Sequence, residues 1–128
     1  MTMYCNVREL DDVTVLDLTG RLSLGEAVAF GSGSGLILGE TIRDLTKNGR
    51  KKILLNLAGV TYVDSSGIGQ LMGALTSAHK HGVELKLLRP NEQLLDLMKL
   101  TKVDTLFDIH SEETAAVASF TRGAAAAG

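Results

Sequence analysis

Residues 53–57, Ile-Leu-Leu-Asn-Leu, form a nearly continuous apolar run. A strand with one wet face alternates apolar and polar residues, whereas a run of this kind is typical of a strand that is buried on both faces. Strands of that kind occur mainly in sheets with helices packed on both sides. The run therefore predicts a central strand of an α/β sheet.

Strand-like and helix-like segments alternate along the rest of the chain. In residues 3–20, two strand-like runs flank the polar pair Asp11-Asp12, which predicts an antiparallel hairpin. Residues 83–87 and 106–109 predict two further strands, and apolar residues at helical spacing predict helices around 38–45, 68–79, 94–98 and 111–120. This order predicts one α/β domain with a mixed, mostly parallel sheet of four to five strands and about four helices.

The helix predicted over 68–79 carries two stripes of side chains. Its apolar stripe consists of Ile68, Leu71, Met72 and Leu75, followed by His79. Gly69, Gly73 and Ser77 form a second stripe of small residues, which would let another backbone come close.

Length and the glycine-rich segments set the expected domain limits. A chain of 128 residues has the size of one compact domain, which we expect to span residues 1–122. The closing segment 123–128 offers no side chain that would anchor it, so it is predicted to be a disordered tail. Residues 31–35, Gly-Ser-Gly-Ser-Gly, predict a flexible loop that is either a tolerated insertion or a gate over a partner surface. They lack the glycine spacing of a dinucleotide site.

Charge and composition argue against several classes of function. The formal net charge is −2 and neither sign forms a long block, so neither nucleic acid nor an anionic membrane is an expected partner. No apolar run approaches the roughly 18 residues of a membrane span and no signal peptide is evident, so we expect a cytoplasmic protein. Cys5 is the only cysteine, which excludes an internal disulfide and a multi-cysteine metal site. It is expected to pack in the first strand, and no cofactor is predicted.

Residues 63–69, Val-Asp-Ser-Ser-Gly-Ile-Gly, lie between the central strand and the helix predicted over 68–79. Their hydroxyls stand where a helix begins, at the carboxyl end of a strand, which is where α/β sheets place functional loops. The first helical turn has unsatisfied N–H groups and the positive end of the helix dipole, so it tolerates a phosphate on one of these serines. Ordinary helix capping is the alternative, although two adjacent hydroxyls exceed what one cap requires.

A catalytic role for Ser66 has little support in the surrounding sequence. The nucleophile elbow needs glycine two residues before and after the serine, where this chain has Asp64 and Ile68. His79 follows 13 residues later (79 − 66) on the same predicted helix, about 20 Å away. His79 and His81 also lack the clustered acidic or thiol partners of a metal site. We therefore predict a non-enzymatic protein without a bound metal.

Three segments together resemble a known family. They are Gly20-Arg21-Leu22 after the second strand, the pair Asn56-Leu57, and above all the Asp-Ser-Ser-Gly core of residues 64–67. The set resembles the anti-sigma-factor antagonists, bacterial proteins built on the STAS domain, and the resemblance spans residues 5–120 in element order. It implies a partner-switching protein that binds an anti-sigma factor and thereby frees a sigma factor for transcription.

The resemblance also implies how this protein is switched and which residues meet the partner. In such families the anti-sigma factor is a serine kinase that phosphorylates the serine directly before the glycine, which is Ser66 here. The implied partner-binding residues are Asp64, Ser65, Ser66, Gly67, Arg21 and Ser23. Ser23 departs from the acidic residue that family members often carry there. A phosphatase that resets the switch is implied as a further partner. The alternative function is a STAS scaffold or accessory subunit of a stress-sensing or transport assembly.

Phosphorylation of Ser66 is expected to change binding more than folding. It adds a charge of about −1.5 to −2 beside Asp64, while the helix dipole compensates by only about 0.3–1 kcal/mol. A partner surface that matches a neutral hydroxyl would have to bury or repel a dianion, at a cost of several kcal/mol. We therefore expect repulsion at the interface and no large rearrangement.

Overall fold

The computed structural model describes residues 3–22, 28–30, 34–36 and 38–120. Its strands are β1 (Met3–Leu10), β2 (Val13–Leu22), β3 (Val28–Phe30), β4 (Ser34–Leu36), β5 (Lys52–Val63), β6 (Glu84–Leu88) and β7 (Asp108–His110). Its helices are α1 (Leu38–Lys47), α2 (Ser65–Lys80), α3 (Glu92–Leu100) and α4 (Glu113–Ala118), and a 3-10 turn spans Asp104–Leu106. None of the described helices is both long enough and apolar enough to span a membrane.

The strands form one mixed sheet in the order β4-β3-β1-β2-β5-β6-β7. The pairs β1/β2 and β3/β4 are antiparallel, whereas β1/β3, β2/β5, β5/β6 and β6/β7 are parallel. Parallel neighbours need crossover connections, and α1, α2 and α3 provide those of the pairs β2/β5, β5/β6 and β6/β7, whereas β2 itself connects β1 to β3. The predicted α/β class with a mostly parallel sheet is confirmed, and the apolar run of residues 53–57 is interior to the sheet.

Helices cover both faces of β5, which explains its continuous apolar sequence. Ile53, Leu55 and Leu57 lie in the main core beneath α1, α2 and α3, and Leu54 lies in a smaller core on the opposite face. Ala116 of α4 belongs to that smaller core. All four leucine and isoleucine side chains have no solvent exposure. The strand is therefore buried on both sides, as its sequence predicts.

The predicted hairpin and helix ends agree with the structure. The antiparallel β1/β2 pair turns at Asp11, whose φ of 56° lies in the left-handed region that Asp tolerates. Gly49 and Gly82, with φ of 84° and 69°, follow α1 and α2 as C-terminal stops. Asn91 caps α3 by accepting a hydrogen bond from the Leu94 amide at 2.8 Å.

Three local expectations differ from the structure. Ser34 and Gly35 of the predicted loop belong to β4, because main-chain pairing with β3 holds a segment that has no apolar pattern. Residues 31–33 of that loop lie outside the described part of the chain. Leu106, predicted as a strand residue, ends the 3-10 turn, and β7 begins only at Asp108. Ser111 does not begin α4, which is preceded by Glu112 without a side-chain cap. The predicted tail 123–128 also lies outside the described residues.

Two glycines of the small-residue stripe on α2 are open to solvent. A Cβ atom added at Gly69 or at Gly73 would meet no described atom within 4 Å, and both residues are exposed. Within the described residues, no backbone uses the close approach that the stripe allows at these two positions. The apolar stripe of α2 faces the main core instead, with Ile68 and Leu71 buried.

The second half of β5 extends beyond β6. Pairing with β6 covers Lys52 to Asn56, whereas pairing with β2 continues to Val63, with register shifts near Gly59. On the β6 side, the Asn91 side chain donates a hydrogen bond to the Val60 carbonyl oxygen at 3.1 Å. The carboxyl end of β5 is thus carried mainly by β2.

Candidate functional site

The site is built where β5 ends and α2 begins. Asp64 has extended backbone angles, φ −134° and ψ −175°, and is the N-cap of α2. Its carbonyl oxygen accepts the first hydrogen bonds of the helix from the amides of Gly67 and Ile68, at 2.9 and 3.2 Å. Ser65 and Ser66 are therefore the first two residues of α2, and the expectation that both serines stand at a helix start is confirmed.

The Asp64 carboxylate accepts hydrogen bonds at both oxygens. Its Oδ1 accepts a hydrogen bond from the Gly67 amide at 3.0 Å, which satisfies one of the orphan N–H groups of the first turn. Its Oδ2 accepts one from the Tyr62 hydroxyl at 3.1 Å. The carboxylate is thus fixed in orientation as well as in position.

Tyr62 also contacts Arg21 of β2. The guanidinium carbon of Arg21 lies 3.9 Å from the centroid of the Tyr62 ring, within the range of a cation–π interaction. The two residues face each other across the parallel β2/β5 pair. Tyr62 therefore links Arg21 to Asp64, although these residues are far apart in sequence.

The structure brings together most of the residues that the sequence pointed to. Arg21, Asp64, Ser65, Ser66 and Gly67 gather at the carboxyl end of the β2/β5 pair. Ser23 lies outside the described residues. Tyr62 was missed, because its two contacts depend on the register of β5 against β2, and no local sequence signal reports that register.

The first turn of α2 presents one negative charge, that of its N-cap. Residues 65–68 include no acidic side chain, so the Asp64 carboxylate alone faces the positive end of the helix dipole. Gly67 and Ile68 are buried, which seats the turn against the sheet. A helix start of this kind can recognise a surface or an anion.

A Ser-His-Asp cluster lies elsewhere, beside α4. Ser119 Oγ and Asp108 Oδ2 both contact the same ring nitrogen of His110, Nε2, at 3.3 and 3.1 Å. A catalytic triad uses the two different ring nitrogens, so this arrangement cannot relay a proton. Lys86 Nζ contacts Asp108 Oδ2 at 2.8 Å and the Ser119 carbonyl oxygen at 2.9 Å. The cluster ties the end of α4 to β6 and β7.

Two titratable groups in β1 and β2, the Cys5 thiol and the Asp17 carboxyl, have shifted pKa values. Burial, and then the charge of Asp17, raise the pKa of the Cys5 thiol to about 12. Hydrogen bonds from Arg8, with a further one from Asn56, lower the pKa of Asp17.

Within the described ranges, no group of three or more His, Cys, Asp or Glu side chains is arranged to hold a metal ion.

Comparison with known proteins places this geometry in a family. The model of the STAS domain matches residues 4–116. The anti-sigma-B factor antagonist of Bacillus subtilis (strain 168) is 30% identical over 84 residues, which cover 66% of this chain and 76% of that protein.

Solved structures share the fold at lower identity. An anti-sigma factor antagonist from Mycobacterium paratuberculosis superposes with a TM-score of 0.72 at 15% identity, over 92% of this chain and 93% of that one. The Bacillus cell fate determinant SpoIIAA in its phosphorylated form gives a TM-score of 0.62 at 16% identity, over 89% and 96%. With the family match over most of its length, the chain belongs to the STAS domain family of anti-sigma factor antagonists.

Proposed function

We propose that this protein binds an anti-sigma factor when Ser66 is unmodified, and that phosphorylation of Ser66 by that anti-sigma factor, acting as a serine kinase, ends the interaction. Binding of the unmodified form would release the sigma factor. The protein itself acts by binding and performs no catalysis. The partner-binding residues of this proposal are Asp64, Ser65, Ser66, Gly67 and Arg21, together with Ser23.

The observation that carries the proposal is the start of α2 directly after Asp64. Ser66 is the second residue of a helix of 16 residues, so its backbone lies in the turn whose N–H groups favour an anion. A kinase substrate needs a hydroxyl at a place where the product does not disrupt the fold, and a helix start meets that need. SpoIIAA, which shares the fold, has been solved in a phosphorylated form.

The proposed mechanism is electrostatic. Asp64 is the N-cap of α2 and accepts the hydrogen bond of the Gly67 amide. A phosphate on Ser66 would therefore lie close to an existing negative charge. A partner surface suited to the unmodified site would then face both charges at close range. Since about 1.4 kcal/mol changes affinity tenfold, the several kcal/mol of an unpaired buried charge suffice to abolish binding.

The proposal is tested by incubating the protein with an anti-sigma kinase from its own genome and ATP, followed by intact-mass analysis and peptide mapping. We expect one phosphate, located on Ser66. Ser66→Ala should prevent its addition, while the matched control Ser65→Ala should still be modified. The affinity of Ser66→Asp for the kinase, measured by calorimetry, should fall at least about 100-fold relative to the unmodified chain.

Other outcomes would reject the proposal. If Ser66→Asp bound as tightly as the unmodified protein, repulsion at this residue would not be the switch. If the chain bound a larger STAS assembly constitutively and Ser66→Ala changed neither modification nor binding, the scaffold or accessory-subunit function would replace the switch.

A further inference from the structure

Tyr62 contacts two of the proposed partner-binding residues through different groups of its side chain. Its hydroxyl donates to Asp64 Oδ2 at 3.1 Å, and its ring lies 3.9 Å from the guanidinium carbon of Arg21. The side chain is half-buried, so its own freedom is limited. It joins the end of β2 to the beginning of α2.

We propose that Tyr62 is a positioning residue of the switch, which holds the N-cap carboxylate and Arg21 in the arrangement that the anti-sigma factor recognises. This inference rests on the function proposed above and concerns how the same site is prepared for its partner. Tyr62 is not required to touch the partner. It acts through Asp64 and Arg21.

The hydroxyl contact determines the orientation of the Asp64 carboxylate. With both oxygens engaged, by the Gly67 amide and by Tyr62, the carboxylate plane cannot rotate without breaking a hydrogen bond. Without the hydroxyl, Oδ2 loses this donor, and the cap that Asp64 forms on the Gly67 amide is less well supported. The first turn of α2, which includes Ser66, would then open more often.

The ring contact restricts Arg21. Arginine has many rotamers, and fixing such a side chain at an interface costs affinity when it happens on binding. The Tyr62 ring contributes to that ordering in the free protein, because its electron-rich face attracts the guanidinium. A partner therefore meets a cation and a helix start whose separation is already set.

Tyr62→Phe separates the two contacts, because it removes the hydroxyl and keeps the ring. Tyr4→Phe is a matched control: Tyr4, the other tyrosine of the chain, is 60% exposed on β1. We expect Tyr62→Phe to speed hydrogen exchange of the Gly67 amide by about three- to tenfold and to raise KM for phosphorylation by a similar factor. The kcat should stay within about twofold, since the competent form reacts normally once bound. Tyr4→Phe should change none of these.

A double-mutant cycle tests the ring. Arg21→Gln should weaken anti-sigma-factor binding by the same factor in the wild-type and Tyr62→Phe backgrounds, because both keep the aromatic ring. In the Tyr62→Leu background the factor should be much smaller, because Arg21 has no ring to pack against. Equal effects in all three backgrounds would overturn the role of the ring.

Failure of this inference differs from failure of the proposed function. If wild type is phosphorylated and Tyr62→Phe matches Tyr4→Phe in both KM and Gly67 exchange, the positioning role is wrong while the switch stands. If wild type is neither bound nor phosphorylated, the switch and its positioning residue are both rejected. In that case, exchange of the Gly67 amide still tests whether Tyr62 supports the Asp64 cap, but it no longer bears on recognition of a partner.

Discussion

Arg8 of β1 donates a hydrogen bond from Nη2 to Glu113 Oε1 at 2.5 Å and so connects the sheet to the first residue of α4. The same guanidinium binds Asp17 of β2 through Nε and Nη2, at 2.5 and 2.9 Å. Asp17 accepts a further hydrogen bond from Asn56 at 2.7 Å. This network lies on the face of the sheet that α4 partly covers, and it holds one end of that short helix.

Arg8→Ala should weaken the attachment of α4. The Arg8 side chain is 36% exposed and solvent screens its ion pairs, so we expect a loss of about 1 kcal/mol in the free energy of unfolding, measured with urea. Arg50→Ala, which breaks the exposed Arg50–Glu9 pair, is the control and should cost less than about 0.5 kcal/mol. Equal losses would mean that the Arg8 network adds nothing beyond an ordinary surface pair.

Stability should fall in acid partly because of Asp17. Hydrogen bonds from Arg8 hold its folded-state pKa below the ordinary value of 3.8, so the folded protein binds fewer protons near that pH than the unfolded chain. The contribution of Asp17 is therefore fully present above about pH 4 and is lost as pH falls through the folded pKa. Asp17→Asn should be less stable than wild type near neutral pH and should lose less stability on acidification. Part of the acid sensitivity should remain, because Lys86 and His110 also lower the pKa of Asp108.

The Cys5 thiol should be unreactive in the folded protein. Burial raises its pKa to about 12, so little thiolate exists at neutral pH, and the side chain is only 8% exposed. Labelling with a thiol reagent at about pH 8 should follow the rate of unfolding and accelerate in urea. Rapid labelling without denaturant, at a rate close to that of the unfolded chain, would contradict this prediction.

Two glycine-to-alanine substitutions should have opposite effects on stability. At Gly59 an added Cβ would lie 2.5 Å from Thr19 Cγ2 and 3.0 Å from the Leu18 carbonyl oxygen, so Gly59→Ala should cost about 1–3 kcal/mol. At Gly73 of α2 no described atom lies within 4 Å of the added Cβ, and Gly73→Ala should add about 0.5–1 kcal/mol through helix propensity. Thermal unfolding of both variants tests the pair, and a destabilised Gly73→Ala would contradict the open surface.

The parts of the fold that the sequence predicted are those with strong local patterns. Two such patterns are the buried run of residues 53–57 and the apolar stripe of α2. Each can be read from the sequence because its apolar residues have to be buried in a core. The strand β5 continues to Val63, beyond the predicted end, since Gly59 and Thr61 interrupt the apolar pattern without interrupting the pairing with β2.

The parts that escaped prediction depend on long-range pairing. The strands β3 and β4 have three residues each, too few to show an alternating pattern, and they are held by main-chain pairing of β3 with β1 and of β4 with β3. At the site, the Asp-Ser-Ser-Gly motif indicated the helix start, but the contact of Tyr62 with Arg21 follows from strand register, which single-sequence patterns do not fix.

Beyond β6, the proposed recognition end of β5 has strand pairing on one side only in the described part of the chain. Its links to the interior are the pairing with β2, the Asn91–Val60 hydrogen bond and the buried side chains of Val60 and Val63, while its exposed side chains have no part in the core. Substitutions of exposed side chains there, unlike changes at Gly59 or at the buried Val60 and Val63, should therefore leave a folded, long-lived chain that no longer binds its partner. A defect of this kind would change neither the melting temperature of the protein nor its abundance in the cell.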